Sequence, residues 1–427
     1  MPSDARFTSP VIFISAGEAS GEHYGALLAA ELRRSLFARG QQPNLFGMGG
    51  PHMAAAGVDL VVRAEDMAVM GVTEVVLHLP RIYREFRKLK RAIVERRPDV
   101  AILIDFPDIH FRLARLFHKL SVPVIYFVSP QLWAWKQHRI RLVRKYVNRM
   151  LVIFPFEEDF YRQRGVNAEF VGHPLADLAP PAITREKFAG ENHLDSASTW
   201  IGLLPGSRAS EISDNLPEML RAAGLLMREP GPVQFLVPLA PTLTRQQRDM
   251  ARELVNLHGP HIPVRLISDS NAGAAARAAL YHARASVVAS GTATVEAALI
   301  GNPFVVVYRV SPVTYAIAKR VVKVPHVAMA NLIAGKLVVP ELLQHDFTAV
   351  NIVQHLTRLL PDGPARESMK MELGAMRRAL LRPSAGGGGG RQGAIERVAD
   401  IVAEEINSVS PVAPAAAEPN EIDTPQQ

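Results

Sequence analysis

The sequence predicts a parallel α/β protein made of two Rossmann-like halves, and three observations carry that prediction. Short β-branched runs alternate with helical segments, the alternation occurs once before residue 174 and again after residue 200, and prolines separate the two series. The strand candidates of the first half are Val11 to Ser15, Val100 to Ile104, Val122 to Val128 and Met150 to Phe154. Those of the second half are Trp200 to Leu204, Val233 to Val237, Val264 to Ile267, Ser286 to Ala289 and Phe304 to Tyr308. The first domain is expected over residues 1–174 and the second over 200–364, with a linker at 175–199. His173-Pro174 and Pro180-Pro181 mark that hinge, because proline removes a backbone donor and biases its predecessor away from helix. Helices are expected over 365–407, interrupted by five consecutive glycines, Gly386 to Gly390, each costing about 1 kcal/mol relative to alanine in a helix. Residues 408–427, rich in Pro, Ala, Glu and Gln, read as a disordered tail.

Composition narrows the function. With 427 residues, and roughly 150 to a domain, there is length for two or three large cores. An apolar share of 48% beside a charged share of 21% is that of a folded soluble chain. The absence of cysteine excludes disulfides, thiolate metal sites and a cysteine nucleophile, and fits a reducing compartment such as the cytoplasm. The net charge of +7 favours anionic partners: nucleotides, phospholipid surfaces or nucleic acid. Met1 to Pro10 has no export-signal pattern, and no run approaches the roughly 18 apolar residues of a membrane span, so any membrane contact is expected to be peripheral.

In open α/β sheets ligands sit at the carboxyl ends of strands, which directs attention to four segments. Ser15-Ala16-Gly17-Glu18-Ala19-Ser20-Gly21-Glu22 follows the first strand, allows close backbone approach, and leads into a helix expected near His23. Ile104-Asp105-Phe106-Pro107-Asp108 puts two carboxylates at a sheet edge, Asp105 as a candidate general base and Asp108 as a helix cap. Leu204-Pro205-Gly206-Ser207-Arg208 offers backbone donors and a guanidinium suited to phosphate, without a Walker A signature. Ser290-Gly291-Thr292-Ala293-Thr294-Val295-Glu296 joins strand to helix at an anion-favouring end, with Glu296 read either as a ribose ligand or as a first-turn acid. A further cluster, Gly47-Met48-Gly49-Gly50-Pro51-His52, fails the dinucleotide fingerprint at His52 and reads as a turn.

Over Arg81 to Arg97, Ile82, Phe86, Leu89 and Ile93 trace one helical face, with Arg84, Arg87, Lys88 and Arg91 opposite. The preceding Met67 to Leu79 is apolar enough either to enter a bilayer or to belong to a core. Lys136 to Arg149 is a second cationic helix candidate, without the aromatic interleaving that single-stranded nucleic acid requires.

Seven ordered blocks resemble lipid-A-disaccharide synthase, a bacterial glycosyltransferase family of the two-domain GT-B fold. They are Ala16 to Gly21, Met67 to Gly71, Ile104 to Asp108, Val128-Ser129-Pro130-Gln131-Leu132-Trp133-Ala134-Trp135, Phe170 to Pro174, Leu204 to Arg208 and Ala289 to Thr292. The resemblance implies two Rossmann-like domains facing a cleft, with transfer of 2,3-diacylglucosamine from UDP to 2,3-diacylglucosamine 1-phosphate (lipid X) and inversion at the anomeric carbon. It implies neither metal nor other cofactor, and catalysis by Asp105 or Glu18. The implied substrate-binding residues are Gly17, Ser20, Asp108, Asn331 and Gln344. Those implied for UDP are Gly206, Ser207, Arg208, Ser290, Gly291, Thr292 and Glu296. The implied partners are the two acylated sugars and an anionic membrane surface at the inner face of the inner membrane; nucleic acid is not expected, and a homodimer is an open alternative. Three departures stand out: Glu22 occupies a family Asp position, Met329-Ala330-Asn331 replaces Leu-Pro-Asn, and the run Gly386 to Gly390 interrupts the family's C-terminal helical region. Another enzyme of this fold, a UDP-sugar epimerase or a transferase with a different acceptor, would account for the UDP-side loops but not for the 67–79 segment. An RNA-binding protein would have to treat Asp105, Glu18 and Arg208 as structural.

Overall fold

Two parallel sheets organise the chain in a computed structural model, which describes residues 9–67, 72–228, 230–268, 274–310, 315, 326–382 and 392–408. Of residues 72–79 it describes the backbone alone. Residues 68–71 of the apolar segment, the Gly386 to Gly390 run and the tail from 409 lie outside the described residues.

The first sheet contains β1 (Val11–Ala16), β2 (Asn44–Gly49), β3 (Asp59–Arg63), β4 (Val100–Ile104), β5 (Val124–Phe127), β6 (Arg149–Val152) and β7 (Ala168–Phe170), in the order β3-β2-β1-β4-β5-β6-β7. Its helices are α1 (Ala19–Ala38), α2 (Pro51–Ala55), α3 (Val72–Arg96), α4 (Pro107–Lys119), α5 (Ile140–Tyr146) and α6 (Pro155–Arg162). The second sheet contains β8 (Thr199–Leu204), β9 (Val233–Pro238), β10 (Val264–Ile267), β11 (Ala285–Ala289), β12 (Phe304–Tyr308) and β13 (Glu341–Leu343), in the order β10-β9-β8-β11-β12-β13. All pairings are parallel. The remaining helices are α7 (Arg185–Asn192), α8 (Ala209–Leu226), α9 (Arg245–His258), α10 (Ala274–His282), α11 (Thr292–Ile300), α12 (Met329–Ala334), α13 (Ala349–Leu359), α14 (Pro364–Leu380) and α15 (Ala394–Ser408).

Parallel strands are covered on both faces, so their residues are apolar without alternation. Val100, Ala101, Ile102, Leu103 and Ile104 are all fully buried, as are Val287, Val288 and Phe304 through Val307. In each sheet the order reverses at one point, between β1 and β4 and between β8 and β11. Ligand crevices open outside the carboxyl ends at such reversals. The four segments singled out above follow those four strands.

After α14 the chain returns to the first half. The N–H of His173 donates to the carbonyl of Leu380 at 2.9 Å, and Arg397 of α15 grips Glu169 at 2.7 and 3.1 Å. The N–H of Ala394 donates to Asp177 at 2.6 Å, while Arg39, just past the end of α1, meets Asp400 at 2.5 Å.

Several local expectations are corrected. Gly47 to Gly49 is the end of β2 rather than a turn, because the chain there packs directly against β1, with Gly47 opposite Ile14. The first helix begins at Ala19, not near His23, since the extended backbone of Glu18 caps it. Lys136 to Arg149 is not one helix: Lys136 is left-handed (φ 52°), a short 3-10 turn precedes α5, and Arg149 already starts β6. The strand expected over Val122 to Val128 keeps only Val124–Phe127, bounded by Pro123 and a left-handed Val128 (φ 61°).

Candidate active site

The first cluster forms where β1 and β4 run side by side, with Ala16 opposite Ile104, so Gly17-Glu18 and Asp105-Phe106 leave the sheet together. A Cβ on Gly17 would lie 2.2 Å from the Phe106 ring, so this close approach requires glycine. Asp105 and Phe106 are both left-handed, at φ 52° and 51°, a conformation that costs an L-residue about 1–2 kcal/mol.

Three bonds hold that turn. The Tyr126 hydroxyl donates to the Asp105 carbonyl at 2.6 Å, His110 Nδ1 meets the same oxygen at 2.5 Å, and the Asp105 N–H donates to the Phe127 carbonyl at 3.2 Å. Burial pushes the His110 pKa down to about 3, so its ring is neutral. Because Nδ1 faces a carbonyl it carries the proton, and Nε2 accepts from the Ser15 hydroxyl at 2.8 Å.

The Asp105 carboxyl itself is half-buried. Burial first, and then the negative charge of Glu18, push its pKa up to about 7, against a lowering contribution from the Phe106 N–H. Glu18 is exposed at the start of α1, and Ser20 is half-buried in the first turn of that helix. Glu22 turns away from the cleft to accept from the Met53 N–H at 2.9 Å and pair with His52 at 2.7 Å, fastening α1 to α2. Asp108 is not the helix cap, a position taken by Phe106. It is an exposed first-turn acid paired with Arg139 at 2.6 Å.

The second cluster forms where β8 and β11 pair, with Leu204 opposite Val288. Gly206 is left-handed (φ 126°), and a Cβ there would strike the Glu211 side chain at 2.3 Å. The Ser207 N–H donates to Glu211 at 2.8 Å and Arg208 Nη1 to the same carboxylate at 3.2 Å, leaving Ser207 and Arg208 exposed at the N-terminus of α8. Asn215 anchors the turn by donating to the Pro205 carbonyl at 2.8 Å. Just after β11, the Ser290 N–H donates to the Val307 carbonyl at 2.9 Å, Gly291 caps α11, and exposed Thr292 begins it.

Glu296, one turn into α11, is half-buried; burial pushes its pKa up to about 7 while Arg277 opposes the rise. The two clusters approach each other at Tyr24 of α1. This buried hydroxyl is raised by burial and by the charges of both Glu296 and Asp105.

Asn331 occupies a different environment. It is fully buried, its amide donates to the Val339 carbonyl at 2.9 Å and to Glu341 at 2.7 Å, and its oxygen accepts from the N–H groups of Val338 and Val339 at 2.8 and 2.9 Å. Both donors and both lone pairs are used, so the side chain organises the segment from α12 to β13. Gln344, left-handed at φ 51°, follows β13, and its amide, oriented to satisfy both ends, pairs with the Val310 backbone at 3.1 Å. Neither residue joins the Asp105 or Arg208 cluster through these bonds. Among the described residues, no group of three or more His, Asp or Glu side chains could hold a metal ion.

Sequence reading missed Tyr24, His110, Tyr126 and Arg277 and gave Glu211 no role. Tyr126 was detectable as the single hydroxyl in Val-Ile-Tyr-Phe, and Arg277 as the lone cation of an alanine-rich helix. Tyr24 and His110 carry no comparable local signal.

The lipid-A-disaccharide synthetase family model matches residues 12–384. The lipid-A-disaccharide synthase of Acidobacterium capsulatum is 56% identical over 408 residues, covering 93% of this chain and 97% of the relative. That of Myxococcus xanthus is 42% identical over 395 residues, covering 92% and 97%. Among solved structures, the S. aureus MnaA–UDP co-structure aligns with a TM-score of 0.60 at 13% identity, covering 93% of this chain and 97% of that one. The glycotransferase of kitacinnamycin aligns at 0.59 and 17%, covering 93% and 99%. At such identities these two show the fold alone, the two-domain GT-B architecture shared by glycosyltransferases and sugar epimerases. With a family model spanning most of its length and close relatives along it, the chain belongs to the lipid-A-disaccharide synthase family of glycosyltransferases in lipid A biosynthesis.

Proposed function

We propose that the chain condenses UDP-2,3-diacylglucosamine with 2,3-diacylglucosamine 1-phosphate in a single inverting displacement, with Asp105 as the general base. The observation that carries this reading is a carboxylate at a sheet reversal whose pKa lies near 7, where a base is both ionised and basic enough to work. The acceptor's 6-hydroxyl oxygen forms the bond to the donor's anomeric carbon, the bond from that carbon to the diphosphate oxygen breaks, and the hydroxyl proton passes to Asp105. Glu18 keeps Asp105 basic through its charge. Arg208, the Ser207 N–H and the N-terminus of α8 receive the charge growing on the departing UDP. Glu296 and the Ser290-Gly291-Thr292 turn contribute the uridine side. Asn331 acts through the segment it holds. The test is UDP release by purified protein given both diacylated substrates in the presence of chelator, with the product mass checked. A tetraacylated disaccharide phosphate is expected; intact substrates would overturn the reading.

The chain's site of action is proposed to be the cytoplasmic face of the inner membrane, reached peripherally. Among the described residues no helix is long and apolar enough to cross a membrane. Support comes from α3, whose Leu89 and Ile93 are buried as expected while Arg87, Lys90 and Arg91 face outward. Arg84 and Lys88 are committed to the buried Glu85, at 3.0 and 2.8 Å, and Arg91 is paired with Glu95 at 2.7 Å, which lessens the free charge of the helix. Changing Arg87, Lys90 and Arg91 to Glu should abolish co-sedimentation with anionic vesicles, and unaltered binding would return α3 to a solvated face.

A further inference from the structure

An aromatic-walled cavity of about 480 Å³ lies between the two halves of the molecule. Its N-terminal wall is one face of α6 and the turn after it, Phe156, Phe160 and Arg164 recurring at helical spacing, with Trp133 beside them. Its opposite wall is Leu332 and Gly335 at the end of α12. Among the described residues, Trp133 and Leu332 belong to none of the hydrophobic core clusters, which leaves their apolar surface to the cavity.

Hydrogen bonds and ring contacts hold the N-terminal wall in place. Glu157, 1% exposed, accepts from the Trp133 indole N–H at 3.0 Å and from the Ser129 hydroxyl at 2.8 Å. Arg164 stacks over Phe160 at 4.0 Å and donates to its carbonyl at 2.9 Å. A file of ring contacts runs inward from the cavity: Trp133 to Phe156 (5.1 Å), Phe156 to Phe154 (5.9 Å), Phe154 to His173 (5.5 Å) and His173 to Tyr24 (6.2 Å). Tyr24 is the residue on which the charges of Asp105 and Glu296 both bear. Phe156 follows β6, which stands two strands, about 10 Å, from β4, so the cavity opens at the same carboxyl edge of the sheet as Asp105.

We infer that this cavity seats one acyl chain of the diacylated sugar. The inference rests on the acyl-sugar reading above and adds where a chain goes. The volume falls within the roughly 300–1,000 Å³ of small-molecule sites, and the apolar share of the walls comes from Trp133, Phe156, Phe160 and Leu332, with Asp159, Gln163, Arg164 and His326 as the polar members. Each methylene seated there is worth roughly a fourfold factor in affinity, which makes the cavity a determinant of chain length.

Two measurements test it. In the full chain, Trp135→Phe removes the exposed indole next to Trp133, while Trp200 is fully buried in the second half. Glucosamine 1-phosphate, or its UDP counterpart, carrying brominated acyl chains should then quench Trp133 fluorescence, and running the two separately identifies which sugar supplies the chain. Quenching only by vesicles of brominated phospholipid would make the cavity a membrane-facing groove and overturn the inference. In the second measurement, Leu332→Trp, which fills the cavity from α12, should lower the ratio of kcat/KM for long over short acyl chains at least tenfold, and Phe160→Ala should raise it. An unchanged ratio in both variants, with wild-type turnover intact and no quenching, would refute the cavity assignment while leaving the proposed reaction standing. Absence of wild-type turnover on every acylated pair would refute the reaction instead.

Discussion

The two sheet reversals that face the cleft are built on opposite plans. At the first, Asp105 sits on a backbone turn clamped by Tyr126 and His110, with Phe106 pressed against Gly17. At the second, Arg208 is exposed at the cap of α8 and tethered to Glu211 in the first turn of that helix. On the proposed roles, the difference teaches how the labour of a displacement is divided. A proton acceptor works over one hydrogen-bond length and gains from fixed geometry, whereas a diphosphate departing from many orientations is met by an exposed cation and backbone donors.

The largest effect should come from the clamped side. Asp105→Asn keeps the shape but removes the proton acceptor, so kcat should fall by about 10²–10⁴-fold while the UDP dissociation constant, measured by calorimetry, stays within twofold. Near-normal turnover would move the base elsewhere. On the open side, Arg208→Ala removes a charged hydrogen bond of about 1.5–3 kcal/mol, so kcat/KM for the donor should drop roughly 10- to 100-fold with weaker UDP binding. Unchanged steady-state constants would take Arg208 out of the phosphate role. Tyr126→Phe probes the clamp alone. It deletes one bond to the Asp105 carbonyl and should lower kcat several-fold with KM unchanged, because the carboxylate is less well aimed. Equal loss in KM would indicate a general disturbance of the fold.

A last effect concerns stability rather than rate. The native pKa of Asp105, about 7, lies above its ordinary 3.8, so between those values the native state retains a proton that the unfolded chain has released. Stability therefore falls as pH rises from about 4 to about 7 and levels off beyond, the reverse of a salt-bridged carboxylate. Asp105→Asn should accordingly melt higher than the wild type at pH 8 and close to it near pH 4. A lower Tm at pH 8 would show that the carboxylate is stabilised by partners rather than strained by burial.

The same contrast explains what could be read from the sequence. Val100 to Ile104 and Phe304 to Tyr308 are continuous apolar runs, so their strands, and the loops that follow them, were legible from local pattern. Strands β2, β3, β7 and β13 were not. Asn44–Gly49 is broken by glycines, Asp59–Arg63 is an edge strand, and Ala168–Phe170 and Glu341–Leu343 are only three residues long. Asp105, Glu18, Arg208 and Glu296 could be singled out because strand-end loops are where chemistry gathers. Tyr126 and His110 were not, because they acquire their role only when β5 and α4 bring them onto the Asp105 carbonyl. The consecutive left-handed Asp105 and Phe106 have no glycine to announce them, and tertiary bonds impose that turn.

The measurement that tests the account most directly is the pH dependence of kcat/KM in the wild type and in Glu18→Gln. The rate should rise with pH to a plateau with an apparent pKa of about 7, and removing the Glu18 charge should shift that limb to lower pH in whatever activity remains. A profile that is flat from pH 5 to 9, or a limb that stays in place in Glu18→Gln, would contradict the assignment of Asp105 as a base tuned by burial and its neighbour.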